Sequence, residues 1–188
     1  VLFRSIQAPA VYPKVTYQIS DFAPVSLIAR SMDVFMVPRS SGITTLKDFI
    51  AKAKADKSMS YGSYGNATSS HFNGEQFKSQ AGLDLVHAPF AGSGPEMAAV
   101  LGGQVSSAFV DATAANPHLK SDKLNFLAVS GTRRHPALPN VPTFAEQGFK
   151  GLEANGFFAV FLPSRLNCLS CRCWRTVSSQ FPLAVFSF

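Results

Sequence analysis

Cysteine is missing from the first 167 residues of this 188-residue chain; Cys168, Cys171 and Cys173 crowd into the final stretch beside the lone tryptophan, Trp174. That leaves the body of the chain without a disulfide framework. Cys168-x-x-Cys171 with Cys173 finds no second pair and no histidine at ligand spacing, so it lacks the other half of a zinc knuckle. His71, His87, His118 and His135 are likewise scattered without i, i+4 or clustered spacing, and no metal or cofactor is expected. No apolar run reaches the length of a membrane span, and the start "VLFRSIQAPA" has no signal-peptide pattern. The formal net charge is +6, but Lys14, Arg30, Arg39, Lys47, Lys52, Lys54, Lys57, Lys78, Lys120 and Lys123 form no stripe of the kind that tracks a nucleic-acid backbone. A diffuse positive field suits an anionic small molecule better.

Two catalytic or nucleotide-binding signatures are also absent. No lysine lies between Tyr61 and Gln76, which excludes a phosphate loop at the most polar turn of the chain. The segments "GSYG" and "AGSGP" miss the Gly-x-Ser-x-Gly spacing of a serine-hydrolase elbow. A triad drawn from Ser63, His71, His87 and Asp111 stays conceivable because triads are recognised by geometry, not by order. No internal repeat of solenoid length appears.

What is present is alternation. With 46% hydrophobic and 15% charged residues the composition is globular and sufficient for one or two domains. "VSLIA" and "DVFMVP" read as strands, and "TTLKDFIAKAKAD" as a helix capped by Thr44 or Thr45. A strand at "SMSYGS", a helix ending at Gly82, a strand at "LDLVHAPF" and a helix at "GPEMAAVLGG" with Pro95 in the first helical position follow. Then come a strand at "QVSSAFVD", a helix broken near Pro117, a strand at "LNFLAVSG", a short helix at "PTFAEQGF" and the run "LEANGFFAVFLP". This order predicts an α/β fold with a mostly parallel sheet. Ligands in such sheets sit beyond the carboxyl ends of the strands, where four polar turns fall: 62–70, 89–95, 111–113 and 130–134.

The first of these turns lies in "YGSYGNATSSHFNGEQF". Gly62 and Gly65 let backbone approach a guest, and Ser63, Asn66, Thr68, Ser69 and Ser70 supply neutral donors at a helix start. Unpartnered N–H groups and the helix dipole favour an anion there, by roughly 0.3–1 kcal/mol and up to about 2 when partly buried. Ordinary capping accounts for the same residue types. The second turn, "PFAGSGPEMAAV", repeats the device through Gly92, Ser93 and Gly94. Asp111 closes a strand, where its carboxylate either caps the next helix or accepts a hydrogen bond from a ligand amino group or a water.

The segments "FAPVSLIA", "TTLKDFIAKAKAD", "YGSYGNATSSHFNGEQFKSQAGLDLVHAPFAGSGPEMAAVLGGQVSSAFVD" and "RRHPALPNVPTFAEQGFKGLEANGFFAVFLP" together resemble the Bug (TctC-like) family, the extracytoplasmic solute-binding receptors of tripartite tricarboxylate transporters. The likeness runs from about Ala10 to Pro163. It implies a periplasmic-binding-protein fold of type II, a Venus flytrap closing over a small organic carboxylate (a di- or tricarboxylate, amino acid or aromatic acid) without catalysis. It also implies a periplasmic location and membrane transporter subunits as partners. By position, Ser63, Asn66, Thr68, Ser69 and His71 match the family's first motif, Ala91, Gly92 and Ser93 its second, and Asp111 its pocket aspartate. Ala67 stands where many members have Gly, and Ala91 where many have Lys. The expected organisation is a remnant of the first lobe with a hinge strand over 1–37, a complete second lobe over 38–155, a returning hinge strand over 156–163, and an aberrant tail over 164–188 that reads as a reading-frame artefact. The rival functions are an α/β-hydrolase-like enzyme with a serine nucleophile and an interaction domain without a ligand.

Overall fold

The computed structural model describes residues 14–119, 121–152 and 156–164; the cysteine-rich stretch lies outside them. After a 3-10 turn at Ile19–Asp21 the elements run β1 (Phe22–Ser31), β2 (Asp33–Pro38), α1 (Leu46–Ala55), β3 (Ser60–Ser63), α2 (Ser69–Ala81), β4 (Val86–Pro89) and α3 (Ser93–Leu101). They continue through β5 (Ser107–Asp111), α4 (Ala112–Ala115), a 3-10 turn at Asn116–His118, β6 (Leu124–Val129) and β7 (Gly156–Pro163). Two sheets result. β1 and β7 pair as an antiparallel ribbon, and the other five strands form one sheet in the order β4-β3-β5-β2-β6.

The α/β class and the dominant strand direction follow the sequence. β3 pairs in parallel with β4 and β5, while β2 is antiparallel to both β5 and β6, so four strands share a direction and one is reversed. The reversed strand is the one arriving from the ribbon. It joins the large sheet at Asp33, a few residues ahead of the boundary expected at residue 38, and it sits between two neighbours instead of at an edge. All six of its residues are buried. Its side chains alternate between the two faces, as a strand covered on both sides requires. Phe35 and Val37 face a layer that holds Leu46, Phe49, Phe77 and Phe144, whereas Val34 and Met36 face Met97, Val100, Leu138 and Val141.

Phe35 is the hub of the first layer, with ring centroids 4.6 Å from Phe109, 5.0 Å from Phe49 and 5.4 Å from Phe77. Each such fully buried ring contributes about 1.5–3 kcal/mol from apolar area alone.

Local signals place the helices. Thr45 caps α1, its hydroxyl oxygen accepting the Asp48 N–H at 3.1 Å, and α2 stops at Gly82 in the left-handed region. Helix α3 starts at Ser93, two residues ahead of the sequence expectation, so Pro95 occupies the third helical position. None of a helix's first N–H groups needs an intrahelical acceptor, and proline fits there as well as at the first place. The helix expected over "PTFAEQGF" shrinks to a 3-10 turn at Ala145–Gln147.

Candidate ligand-binding cleft

Because β2 is reversed, its first residue lies at the sheet edge where the other strands end, and Asp33 pairs with Asp111 across β2 and β5. Beyond this edge lies a cleft of about 690 Å³, within the range of small-molecule sites. Its walls come from the turn after β3 (Tyr64, Thr68, Ser69), the turn after β4 (Phe90, Ala91, Gly92, Ser93), the end of β5 (Asp111) and the ribbon (Ser31, Phe157, Phe158). No lysine or arginine lines it among the described residues.

Six of the nine residues picked out by sequence therefore meet in one place: Thr68, Ser69, Ala91, Gly92, Ser93 and Asp111. Helices α2 and α3 both aim their N-termini at the cleft, and each leaves its first N–H groups without intrahelical acceptors. Thr68 precedes α2 with its side chain committed to the turn, donating to the Gly65 carbonyl at 2.6 Å and lying 2.9 Å from Ser70 Oγ. Ala67, buried, holds φ at +56°, a left-handed conformation that glycine adopts without penalty. Asp111 acts as the cap, Oδ1 accepting the Thr113 N–H at 2.7 Å, while Oδ2 accepts the Ser31 hydroxyl and the residue lines the cleft.

The other three lie elsewhere. Asn66 is exposed at the tip of the turn, off the cleft wall. Ser63 is completely buried, with Oγ 2.7 Å from His87 Nε2. His71 accepts the Ala67 N–H on Nδ1 at 3.2 Å and stacks on His87 with ring centroids 4.1 Å apart. These contacts brace the turn from behind. Burial, and next the neighbouring His71, push His87 down to about 4, so it is neutral across the physiological range. The fourth polar turn stays off the cleft too; Ser130 is buried and its Oγ accepts the Asp33 N–H at 2.7 Å.

Behind the cleft wall are two acids that sequence reasoning passed over. Asp33 is wholly buried, with Oδ1 accepting from the Tyr64 hydroxyl at 2.8 Å and Oδ2 from Asn73 Nδ2 at 2.8 Å. Burial outweighs these hydrogen bonds and raises it to about 7. Glu96, in the first turn of α3, is also wholly buried; burial first, and the charge of Asp33 second, raise it to about 9. Neither of its carboxyl oxygens has a hydrogen-bond partner among the described residues. The one signal for Asp33 was an acid opening an otherwise apolar strand. Glu96 was masked because acids in a helix's first turn are ordinary. Among the described residues no group of histidine, cysteine and acidic side chains could hold a metal ion, and no helix is long and apolar enough to cross a membrane.

Residues 2–168 match the family described as "Tripartite tricarboxylate transporter family receptor". A UPF0065 protein from the tcbD-tcbE intergenic region of Pseudomonas sp. strain P51 is 32% identical over 155 residues, which cover 81% of this chain and 46% of that protein. Among solved structures, a periplasmic transporter superposes with a TM-score of 0.82 at 32% identity, covering 88% of this chain and 56% of its own. An R. palustris protein solved with adipate gives 0.80 at 28% identity, covering 90% and 56%. The chain spans about half the length of the curated relatives it matches. On the match across 2–168, with the fold agreeing, the chain belongs to the receptor family of the tripartite tricarboxylate transporters.

Proposed function

We infer that the cleft holds the carboxylate of a small organic acid, as part of a periplasmic receptor that hands its solute to membrane transporter subunits and performs no catalysis. The observation that carries this reading is the convergence of the α2 and α3 N-termini on one cleft without a basic side chain. Two sets of N–H groups and two dipole ends hold a negative charge through neutral donors, which grip an anion and still let it leave. A related protein with bound adipate supports the class of guest. In this reading the five-stranded sheet with its helices is one lobe, and the β1–β7 ribbon is the hinge toward a second lobe that closes over the solute. The cleft's phenylalanines, Phe90, Phe157 and Phe158, suit an acid with an apolar or aromatic body.

The hydrolase reading has one supporting contact, Ser63 to His87, but that serine is fully buried and off the cleft, out of reach of any substrate. The test is an amide-resolved NMR titration of this chain with adipate, malate and benzoate. Half of a two-lobed site binds weakly, so roughly millimolar dissociation constants are expected. The amides of Ser69, Ser70, Ser93 and Gly94 shift if the reading holds; unmoved amides at saturating probe refute it.

A further inference from the structure

The buried acid behind the cleft has a direct line to its surface. Tyr64 and Ser69 line the cleft and are hydrogen-bonded to each other, and Tyr64 donates to Asp33. Each hydroxyl carries a single proton. While Asp33 is ionised it can only accept, so the Tyr64 proton points inward at Oδ1 and the Ser69 proton points inward at Tyr64. The cleft then meets the lone pairs of both hydroxyls, which repel an anion. A proton on Asp33 inverts the chain: Asp33 donates to the Tyr64 oxygen, Tyr64 donates to Ser69, and the Ser69 proton is released toward the cleft. One proton is gained, as an O–H bond on Asp33, each hydroxyl keeps its single proton, and one acceptor facing the guest, Ser69 Oγ, becomes a donor.

We propose that Asp33 is a positioning residue that couples carboxylate capture to uptake of one proton, acting through Tyr64 and Ser69. This rests on the carboxylate reading of the cleft. Every group facing Asp33 favours such a switch or stays neutral in it. Tyr64 comes from the turn after β3, Ser69 and Asn73 from α2, and Ser130 from the end of β6, all uncharged partners. Asp111 on β5 is an acid that opposes a second negative charge, and Glu96 on α3, raised to about 9, stays protonated and neutral over this range. No cation is among the groups that act on Asp33. A bound carboxylate adds one more negative charge nearby and draws the proton on, while a midpoint near 7 leaves both states populated in the empty cleft at neutral pH.

The test uses this chain and benzoate, which stays ionised throughout, with the Ser69 and Ser93 amides and the Asp33 carboxyl carbon followed by NMR at pH 6, 7 and 8. Since affinity scales with the fraction of the competent state, benzoate binds about tenfold more weakly at pH 8 than at pH 6. The Asp33 midpoint rises on saturation by the reciprocal effect. In Asp33→Asn the side chain still donates to Tyr64 but cannot titrate, and the pH slope disappears; a purely structural aspartate would alter affinity at every pH alike. Should that variant fail to fold, the wild-type carboxyl titration decides, and a midpoint unmoved by benzoate overturns the proposal. Equal affinity at pH 6 and pH 8 also overturns it, with the carboxylate reading intact. Amides that no carboxylate moves sink both together.

Discussion

Glu96→Met is the sharpest perturbation available. At neutral pH Glu96 is a neutral acid, raised to about 9 by burial, with neither oxygen hydrogen-bonded among the described residues. Leaving a buried polar group unpaired costs about 1–3 kcal/mol. Methionine keeps the length of the side chain and removes the polar atoms, so the variant is more stable by at least that amount near pH 7, roughly 2–4 °C in Tm for each kcal/mol in a chain of this size. The pH dependence gives a second, independent reading. A group whose folded pKa is raised keeps its proton longer folded than unfolded, so its contribution is full below its ordinary value of 4.5 and is lost as pH climbs through about 9. Between pH 7 and 9 this amounts to about 2 kcal/mol of stability lost in the wild type and absent from the variant. The window is clean because His87, lowered to about 4, acts only below its ordinary 6.5, in the opposite direction, and Asp33 completes most of its titration near 7. Urea unfolding followed by circular dichroism at pH 6, 7, 8 and 9 measures both effects. A variant less stable than wild type at pH 7, or one with the same slope from 7 to 9, would refute the argument that Glu96 is a buried acid without hydrogen-bond partners among the described residues.

Three further substitutions probe the cradle and its support. Gly74→Ala places a Cβ 2.2 Å from Tyr61 Cε2, inside a fully buried ring, and destabilises by about 1–3 kcal/mol or more as overpacking does; thermal unfolding reads it. Ala67→Gly relieves a left-handed alanine and stabilises by up to about 1 kcal/mol, the relief of roughly 1–2 kcal/mol being partly offset by the entropy of glycine in the unfolded chain. A loss of stability in denaturant melts would show the turn unstrained. Ser63→Ala strips His87 of its 2.7 Å partner and lowers stability by about 1–3 kcal/mol, yet leaves benzoate-induced amide shifts at Ser93 in place. Lost binding with unchanged stability would put Ser63 in contact with the ligand.

Much of the fold was legible because it is written in local periodicity. Thr45, Gly82 and the all-apolar run from Val34 to Val37 announce a cap, a stop and a doubly covered strand without reference to anything distant. Thr68, Ser69, Gly92 and Ser93 were legible for the same reason, since a helix start advertises its own free N–H groups. Ser63 and His71 share a motif with them but not a destination. Which side of a turn a serine or histidine faces depends on a partner 24 residues away, His87, and spacing carries no trace of that pairing. The ribbon's share of the cleft, Ser31 with Phe157 and Phe158, joins residues more than a hundred positions apart.

By itself the amino-acid sequence determined the alternation of strands and helices, the family and the two polar helix starts, because these follow from short-range pattern and backbone geometry. Only the tertiary structure decided that β2 enters the large sheet reversed and between two neighbours, which turns an inconspicuous aspartate at its beginning into a buried acid behind the cleft wall. Strand direction within a sheet is set by where the chain comes from and what it packs against, and the charge state of Asp33 is set by the solvent that this packing removes.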